Sequence, residues 1–202
     1  CNKYHINPNK IKVIRNIIDY KNLDKAIANN ITCYKNSDYN IVASGALYSV
    51  KGFDILINAF ALASREIHNA QLYILGKERY ELGYQKYLEN LIEILGLTNK
   101  VHLLGYKENP YPYYKDADLF VLSSRTEGYP NVVLEALYYG TPVIATDCVD
   151  FSGVIVEGIN GYVIKRESIK DMYKAIMLAH DNLRKPITYI PIENFDYSKI
   201  FV

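Results

Sequence analysis

Short apolar runs alternate with longer amphipathic stretches along most of the chain. Runs of roughly four to six apolar residues predict buried strands, and apolar positions three or four residues apart predict helices. The predicted strands are Ile41–Ser44, Gln71–Gly76, Val101–Gly105, Leu119–Ser124, Pro142–Thr146 and Gly161–Ile164. The predicted helices are Gly52–Ser64, Tyr84–Leu95, Asn131–Tyr139 and one that begins after Ser168, where Ser168 and Asp171 are spaced as a capping box. This alternation predicts an α/β fold, a doubly wound, Rossmann-like parallel sheet.

The two ends of the chain lack this regular pattern. Within residues 1–38, the apolar pattern predicts a strand at Ile11–Asn16 and a linker with a short helix in the remainder. The chain begins with Cys1 rather than Met, so we expect 1–38 to hold an interdomain linker and the end of a missing N-terminal domain. Residues 39–185 predict one Rossmann-like domain, and 186–202 predict an irregular C-terminal extension.

Composition and charge exclude several classes of function. The 202 residues include 23 Lys and Arg against 22 Asp and Glu, so the chain lacks the strongly basic character of a nucleic-acid-binding domain. Three widely spaced cysteines match neither a disulfide framework nor a zinc site, and they indicate a reducing cytoplasm. No apolar run approaches the ~18 residues of a membrane span. An anionic ligand would therefore be held by local groups rather than by a basic surface.

Four predicted loops follow strands and should meet at one edge of a parallel sheet. They are 44–51, 76–79, 105–109 and 123–131, and ligands of doubly wound folds bind at this edge. Lys51 begins a helix after a strand, where a lysine suits a phosphate. Asn131 is placed as an N-cap, with free amides behind it that favour an anion. No dinucleotide fingerprint or Walker loop follows any strand, so nicotinamide cofactors and ATP hydrolysis have no support.

Glu127 lies in the turn before the predicted helix Asn131–Tyr139, and Glu135 lies inside that helix, with seven residues between the two glutamates. With their surroundings they resemble one family. "SGALYSVKGFDILINAFA", "VHLLGYKENPYPYYKDADLFVLSSRTEGYPNVVLEALYYGTPVIATD" and "VEGINGYVI" are similar to the C-terminal, donor-binding half of retaining GT-B glycosyltransferases of the glycosyl transferases group 1, or family 4, type. The resemblance extends from about Lys10 to Lys185 and implies one half of a GT-B fold.

The resemblance implies a role for each matching position. Glu127 should lie against the hydroxyls of the transferred sugar, Lys51 should hold the diphosphate, and both are the expected catalytic residues. Glu135 should accept hydrogen bonds from the ribose. The backbone at Tyr106 and Lys107 should contact the base, and the amides of Asn131 to Val133 should meet the diphosphate. The full set of expected donor-binding residues is Glu135, Gly128, Tyr129, Asn131, Val132, Val133, Tyr106, Lys107 and Gly45.

The resemblance also implies a reaction and its partners. A hexosyl group of a nucleotide sugar, expected to be a UDP-sugar, would pass with retention to a glycan or lipid-linked acceptor in cell-surface polysaccharide synthesis. No metal or other cofactor is expected. The acceptor would bind through the missing N-terminal domain, and no nucleic-acid partner is expected. The location would be cytoplasmic, with peripheral contact to the inner face of the membrane.

Two departures from the family pattern leave alternatives open. Ala46 stands where the family pattern implies an arginine that helps to neutralise the diphosphate. Its loss is compatible with an altered donor, with a compensating residue such as Lys77 or Arg79, or with a weak enzyme. The loop at 148–158 is shortened by a residue and lacks a usual carboxylate. A non-catalytic nucleotide-binding module derived from such a transferase would tolerate both changes. A sugar-nucleotide epimerase of similar architecture is a further alternative, but it does not explain the placement of Glu127 and Glu135.

Overall fold

The computed structural model describes residues 20–27, 34 and 38–185. The strands are β1 (Tyr39–Ser44), β2 (Ala70–Leu75), β3 (Val101–Gly105), β4 (Leu119–Leu122), β5 (Val143–Thr146) and β6 (Gly161–Ile164). The helices are α1 (Tyr20–Ala26), α2 (Phe53–Glu66), α3 (Tyr84–Ile94), α4 (Tyr111–Asp116), α5 (Asn131–Tyr138) and α6 (Ile169–Asn182). The predicted elements from residue 39 onward are therefore confirmed, with ends shifted by two residues at most. The predicted strand at 11–16 and the extension at 186–202 lie outside the described residues.

The six strands form one parallel sheet in the order β3-β2-β1-β4-β5-β6. The order reverses between β1 and β4, which are paired through Ile41 and Leu119. Such a reversal opens a crevice at the carboxyl ends of the strands, because the connections on its two sides run to opposite faces of the sheet. The doubly wound parallel fold is thus confirmed, and the loops after β1 to β4 open on one edge as predicted.

Two apolar clusters cover the two faces of the sheet. Ile41 and Ala43 of β1 belong to the cluster beneath α2, α3 and α6, whereas Val42 belongs to the cluster beneath α1, α4 and α5. Successive strand residues point to opposite faces, so a continuous apolar strand contributes to both clusters. All three side chains are fully buried. This double burial explains why the strands read as unbroken apolar runs in the sequence.

Helix ends show where sequence rules held and where they failed. Ser168 caps α6, its Oγ accepting a bond from the amide of Asp171 at 3.1 Å, as predicted. The prediction of Asn131 as the N-cap of α5 is wrong, because Pro130 occupies that position and Asn131 is the first helical residue. The proline ring restricts φ to the observed −81°, and the Pro130 carbonyl accepts the amide of Val133 at 3.1 Å. The first turn therefore starts without a side-chain cap.

The short helix predicted before the sheet is α1, and it packs against α4 and α5. Leu23 is buried at 3% exposure. The hydroxyl of Tyr139 donates to the Leu23 carbonyl at 2.9 Å, and that of Tyr138 donates to Asp24 at 2.6 Å. Tyrosines on α5 thus anchor a segment more than a hundred residues earlier in the chain. No helix among the described residues is both long and apolar enough to cross a bilayer.

Gly52 lets the loop after β1 pack against the end of β4. Its φ is 63°, in the left-handed region, and it precedes the first residue of α2. A Cβ on Gly52 would overlap the carbonyl oxygen of Ser123. Gly96 has a similar φ of 68°, but a Cβ there would have no neighbour within 4 Å. Alanine substitutions at the two glycines therefore distinguish the free-energy cost of a left-handed backbone from the cost of the close contact with Ser123.

We predict that Gly52→Ala destabilises the chain far more than Gly96→Ala. Gly96→Ala should lower the free energy of unfolding by about 1–2 kcal/mol, the cost of a left-handed alanine. Gly52→Ala should cost that amount plus about 1–3 kcal/mol, since the backbone of one loop must move. Urea unfolding followed by circular dichroism measures both values. Equal losses would show that the contact with Ser123 does not constrain the loops.

Candidate functional site

A cavity of about 750 Å³ opens at the carboxyl edge of the sheet. The loops after β1, β2 and β3 line it, and their contributions include Gly45, Ala46, Gly76, Lys77, Tyr106 and Lys107. Three residues expected from the sequence, Gly45, Tyr106 and Lys107, thus line the same cavity. Such a volume lies within the usual range for a small-molecule site.

Lys51 and Glu127 form an ion pair beside this cavity. Lys51 Nζ lies 2.6 Å from Glu127 Oε1, and both side chains are less than one-fifth exposed. The Oγ of Ser124 donates to the same oxygen at 2.6 Å. A Cβ built on Gly45 would lie 3.2 Å from Lys51 Cε, so the lysine chain passes directly over the cavity wall. Both hydrogen bonds end on Oε1, and Oε2 has no partner within the described residues.

Arg125 joins the loop that carries Lys51 to the loop that carries Glu127. Its guanidinium forms a bidentate pair with Asp54 at 2.9 and 2.8 Å, and its Nε contacts Glu167 at 2.7 Å. It also donates to the carbonyl of Ser49, and its amide donates to the carbonyl of Val50 at 2.8 Å. No local pattern in the sequence indicates this role, because every partner of Arg125 is remote in the chain.

The Arg125 and Asp54 charges stabilise each other. Burial alone would raise the pKa of Asp54, but the hydrogen bonds and the positive charge of Arg125 outweigh burial and lower that pKa. The hydrogen bonds to Asp54 in turn raise the pKa of Arg125. Both groups are therefore ionised over the whole physiological range. Arg125 thus pairs with Asp54 and Glu167, and Glu127 pairs with Lys51.

Glu135 lies on α5 with a half-buried carboxylate. Burial raises its pKa, and no hydrogen bond or ion pair reaches the carboxylate from the described residues. Tyr114 lies close to Glu135. Burial is the main cause that raises the pKa of the Tyr114 hydroxyl, and the negative charge of Glu135 raises this pKa further. The Tyr114 hydroxyl lies 2.6 Å from Ser44 Oγ, and both residues line the cavity. Glu135 is thus a carboxylate with unused acceptor capacity beside the cavity.

The first amides of α5 differ in their partners. The Val133 amide donates to the Pro130 carbonyl at 3.1 Å, so a ligand would have to share or replace that bond, and ligand binding by the Val133 amide stays a prediction. The Val132 amide has no partner within the described residues. Gly128 has open space around its Cα, and Tyr129 packs against the apolar cluster beneath α5. These positions follow Glu127 closely in the sequence, but they do not line the cavity.

The residues that line the cavity carry positive charge. Lys77, Arg79 and Lys107 are among them, and no Asp or Glu is. Within residues 20–27, 34 and 38–185, no group of three His, Cys, Asp or Glu side chains is arranged to hold a metal ion. The site therefore combines a cationic cavity with two carboxylates, Glu127 and Glu135, that retain free acceptor positions.

Comparison with known proteins finds a matching family and several relatives that are named as glycosyltransferases. Residues 24–188 match the family described as glycosyl transferases group 1. An uncharacterised glycosyltransferase of Methanocaldococcus jannaschii is 35% identical over 144 residues, which cover 69% of this chain and 34% of that protein. The N-acetylgalactosamine-N,N'-diacetylbacillosaminyl-diphospho-undecaprenol 4-alpha-N-acetylgalactosaminyltransferase of Campylobacter jejuni is 30% identical over 185 residues, covering 90% and 48%.

Solved structures also resemble this chain. A mutant of S. aureus TarM, in complex with Fondaparinux, alpha-GlcNAc-glycerol and UDP, superposes with a TM-score of 0.65 at 25% identity over 74% of this chain and 30% of that one. The chain spans about a third to a half of the length of the two sequence relatives. The family match covers most of the chain, and the resemblance seen in its motifs is confirmed. The chain belongs to the glycosyl transferases group 1 family.

Proposed function

We propose that this chain is the donor-binding part of a retaining glycosyltransferase that uses a nucleotide sugar, most simply a UDP-sugar. The observation that carries the proposal is the Lys51–Glu127 pair, at 2.6 Å, beside a cavity lined by cations and by no carboxylate. A diphosphate needs positive charge, and a sugar needs hydrogen-bond acceptors for its hydroxyls. The site offers both at the switch point of the sheet, where ligands of this fold bind.

The transferred group would sit against Glu127. In the reaction the bond from the anomeric carbon to the diphosphate oxygen breaks, and the acceptor hydroxyl oxygen forms the new bond on the same face. The proton of that hydroxyl passes to the departing diphosphate. Negative charge grows on the departing diphosphate, and the Lys51 ammonium lies where it can stabilise that charge. Glu127 holds this ammonium through Oε1 and keeps Oε2 for a sugar hydroxyl. One carboxylate would thus orient both the sugar and the cation.

The nucleoside would occupy the cavity. The unpartnered carboxylate of Glu135 can accept hydrogen bonds from ribose hydroxyls, which would relieve the cost of its burial. The backbone at Tyr106 and Lys107, in the wall after β3, can contact the base. We propose that positive side chains supply the charge that balances the diphosphate and that donor binding requires no metal.

The names of relatives support a wider proposal for the whole protein. The C. jejuni relative is named as a transferase acting on a diphospho-undecaprenol-linked sugar, and the S. aureus structure holds UDP. By analogy, we propose transfer of a hexosyl group to a glycan or lipid-linked acceptor in cell-surface polysaccharide synthesis, in the cytoplasm at the inner face of the membrane. A partner domain would hold the acceptor.

A non-catalytic nucleotide-binding module is the second candidate. Ala46 favours it, because this methyl lines the cavity and carries no charge. Turnover by the whole protein with a lipid-linked acceptor distinguishes the two candidates. Transfer of the sugar identifies the enzyme, and donor binding without transfer identifies the module.

We predict that the chain binds UDP and one matched UDP-sugar, because the cavity and both carboxylates belong to it. Saturation-transfer NMR with a panel of nucleotide sugars identifies the sugar, and calorimetry gives the affinities. The affinities should be the same with and without EDTA. Failure to bind any nucleotide would overturn the proposed function, and a loss of affinity in EDTA would show that a cation bridges the diphosphate.

Separate substitutions of the two glutamates should affect different parts of the donor. Glu135→Ala should weaken UDP and the matched UDP-sugar equally, by about 1.5–3 kcal/mol for hydrogen bonds to a charged acceptor. Glu127→Ala should weaken the UDP-sugar more than UDP, since only the sugar lies against its free oxygen. Calorimetry on both variants measures this difference. If Glu127→Ala weakens UDP as much as Glu135→Ala does, the division of roles is wrong.

Uridine binding should weaken as the pH falls, because of Glu135. Burial raises the pKa of the free carboxyl above its ordinary value of 4.5, and hydrogen bonds from the ribose to the ionised form would lower that pKa on binding. Protonation therefore competes with uridine, and affinity should fall from neutral pH towards the ordinary carboxyl range. Glu135→Gln should remove this pH dependence. Uridine is the probe because it has no phosphate that titrates.

A further inference from the structure

Three cations at the cavity lack carboxylate partners. Lys77 Nζ lies 5.1 Å from the centre of the Tyr106 ring, Arg79 lies 5.1 Å from that of Tyr80, and Lys107 lies 5.8 Å from that of Tyr113. Within the described residues none of these cations forms an ion pair, whereas Lys51 is paired with Glu127. Before a ligand binds, the unbalanced positive charge of the site therefore belongs to this group of three rather than to Lys51.

Lys77 is the member of the group that lies beside Ala46. The amide of Leu47 donates to the carbonyl of Lys77 at 2.9 Å, so the backbone of Lys77 runs alongside the residue that follows Ala46. Immediately before Lys77, Gly76 approaches Gly45 so closely that a Cβ would overlap the Gly45 carbonyl oxygen. The parallel pairing of β1 and β2 thus continues past the strand ends and brings these two loops into contact.

Lys51 reaches the same short segment. Its side chain packs against Gly45, where a built Cβ would lie 3.2 Å from Lys51 Cε. The segment Gly45–Ala46 is therefore in contact with the Lys51 side chain and with the loop of Lys77. The methyl of Ala46 is small and uncharged, and it lines the cavity together with Lys77.

We infer that Lys77 binds the diphosphate of the nucleotide next to Ala46, as a second cation in addition to Lys51. This inference rests on the proposed function and assigns a residue to it. Among the described residues, the Tyr106 ring is the only partner of the exposed Lys77 ammonium, and this is a weak contact at an exposed site. A hydrogen bond to a phosphate is stronger, so the ammonium can leave the ring when the diphosphate arrives. Tyr106 positions the lysine at the cavity until then.

The central experiment compares UDP with uridine by calorimetry on the 202-residue chain. Lys77→Ala should lower the affinity for UDP roughly ten- to 100-fold, the effect of losing a charged hydrogen bond, and leave that for uridine unchanged. Lys86→Ala is the matched control, since it removes the same charge from an exposed site on α3 that does not line the cavity. It should leave both affinities unchanged.

A second substitution tests the position of the charge. If Lys77 acts in the space beside Ala46, Ala46→Arg should restore most of the UDP affinity that Lys77→Ala loses, and it should add little when Lys77 is present. Arg79→Ala, which removes another cation from the cavity, should affect UDP less than Lys77→Ala does.

The outcomes separate this inference from the proposed function. Normal UDP affinity in Lys77→Ala would overturn the inference alone. Equal losses for UDP and uridine would also overturn it, since Lys77 would then shape the nucleoside site rather than bind the diphosphate. Failure of Ala46→Arg to rescue UDP binding would contradict the placement beside Ala46. Failure of the unaltered chain to bind UDP would instead overturn the proposed function.

Discussion

The candidate site depends on the contact between two loops at the switch point of the sheet. β1 and β4 are neighbours there, so the loops after them meet, and Gly52 must lie against the Ser123 carbonyl for them to close. The Ser123 hydroxyl donates to the carbonyl of Lys51 at 2.8 Å, and Arg125 binds both loops. Lys51 and Glu127 reach a separation of 2.6 Å because the backbones beneath them are fixed. A side chain at Gly52 would push the two charges apart.

The charged groups of the two loops differ in how fully they are paired. Arg125 and Asp54 neutralise each other, and this pair holds the two loops together. The groups proposed to bind the donor are less satisfied: one oxygen of Glu127 and the whole carboxylate of Glu135 lack partners within the described chain, and the cavity cations rest on tyrosine rings. Partly buried carboxylate oxygens without partners lower stability, so their occurrence on both Glu127 and Glu135 at one sheet edge is typical of a binding site. A nucleotide sugar supplies the missing partners, because it carries both phosphate charge and hydroxyl donors.

Local patterns predicted the elements well, and they failed where a neighbour overrode a local rule. The strands were predictable because both faces are buried, which makes each strand a continuous apolar run. Ser168 was a correct cap because its partner lies three residues away. Asn131 was not, because Pro130 restricts the backbone and its carbonyl takes the Val133 amide. The helix α4 is formed by a Pro- and Tyr-rich segment, with Pro110 before its first residue and Pro112 in its first turn, where proline is tolerated.

The sequence alone determined the fold class, the edge of the sheet that carries the site, and the residue types found there. These follow from apolar periodicity and from motifs whose members are close in the chain. Only the tertiary structure decided which charges pair. Arg125 meets Asp54 across 71 positions, Lys51 meets Glu127 across 76, and the Lys77 loop lies against Gly45–Ala46 through the pairing of two strands. Ion pairing depends on distances of a few ångströms between groups remote in sequence, and only the packed sheet sets those distances.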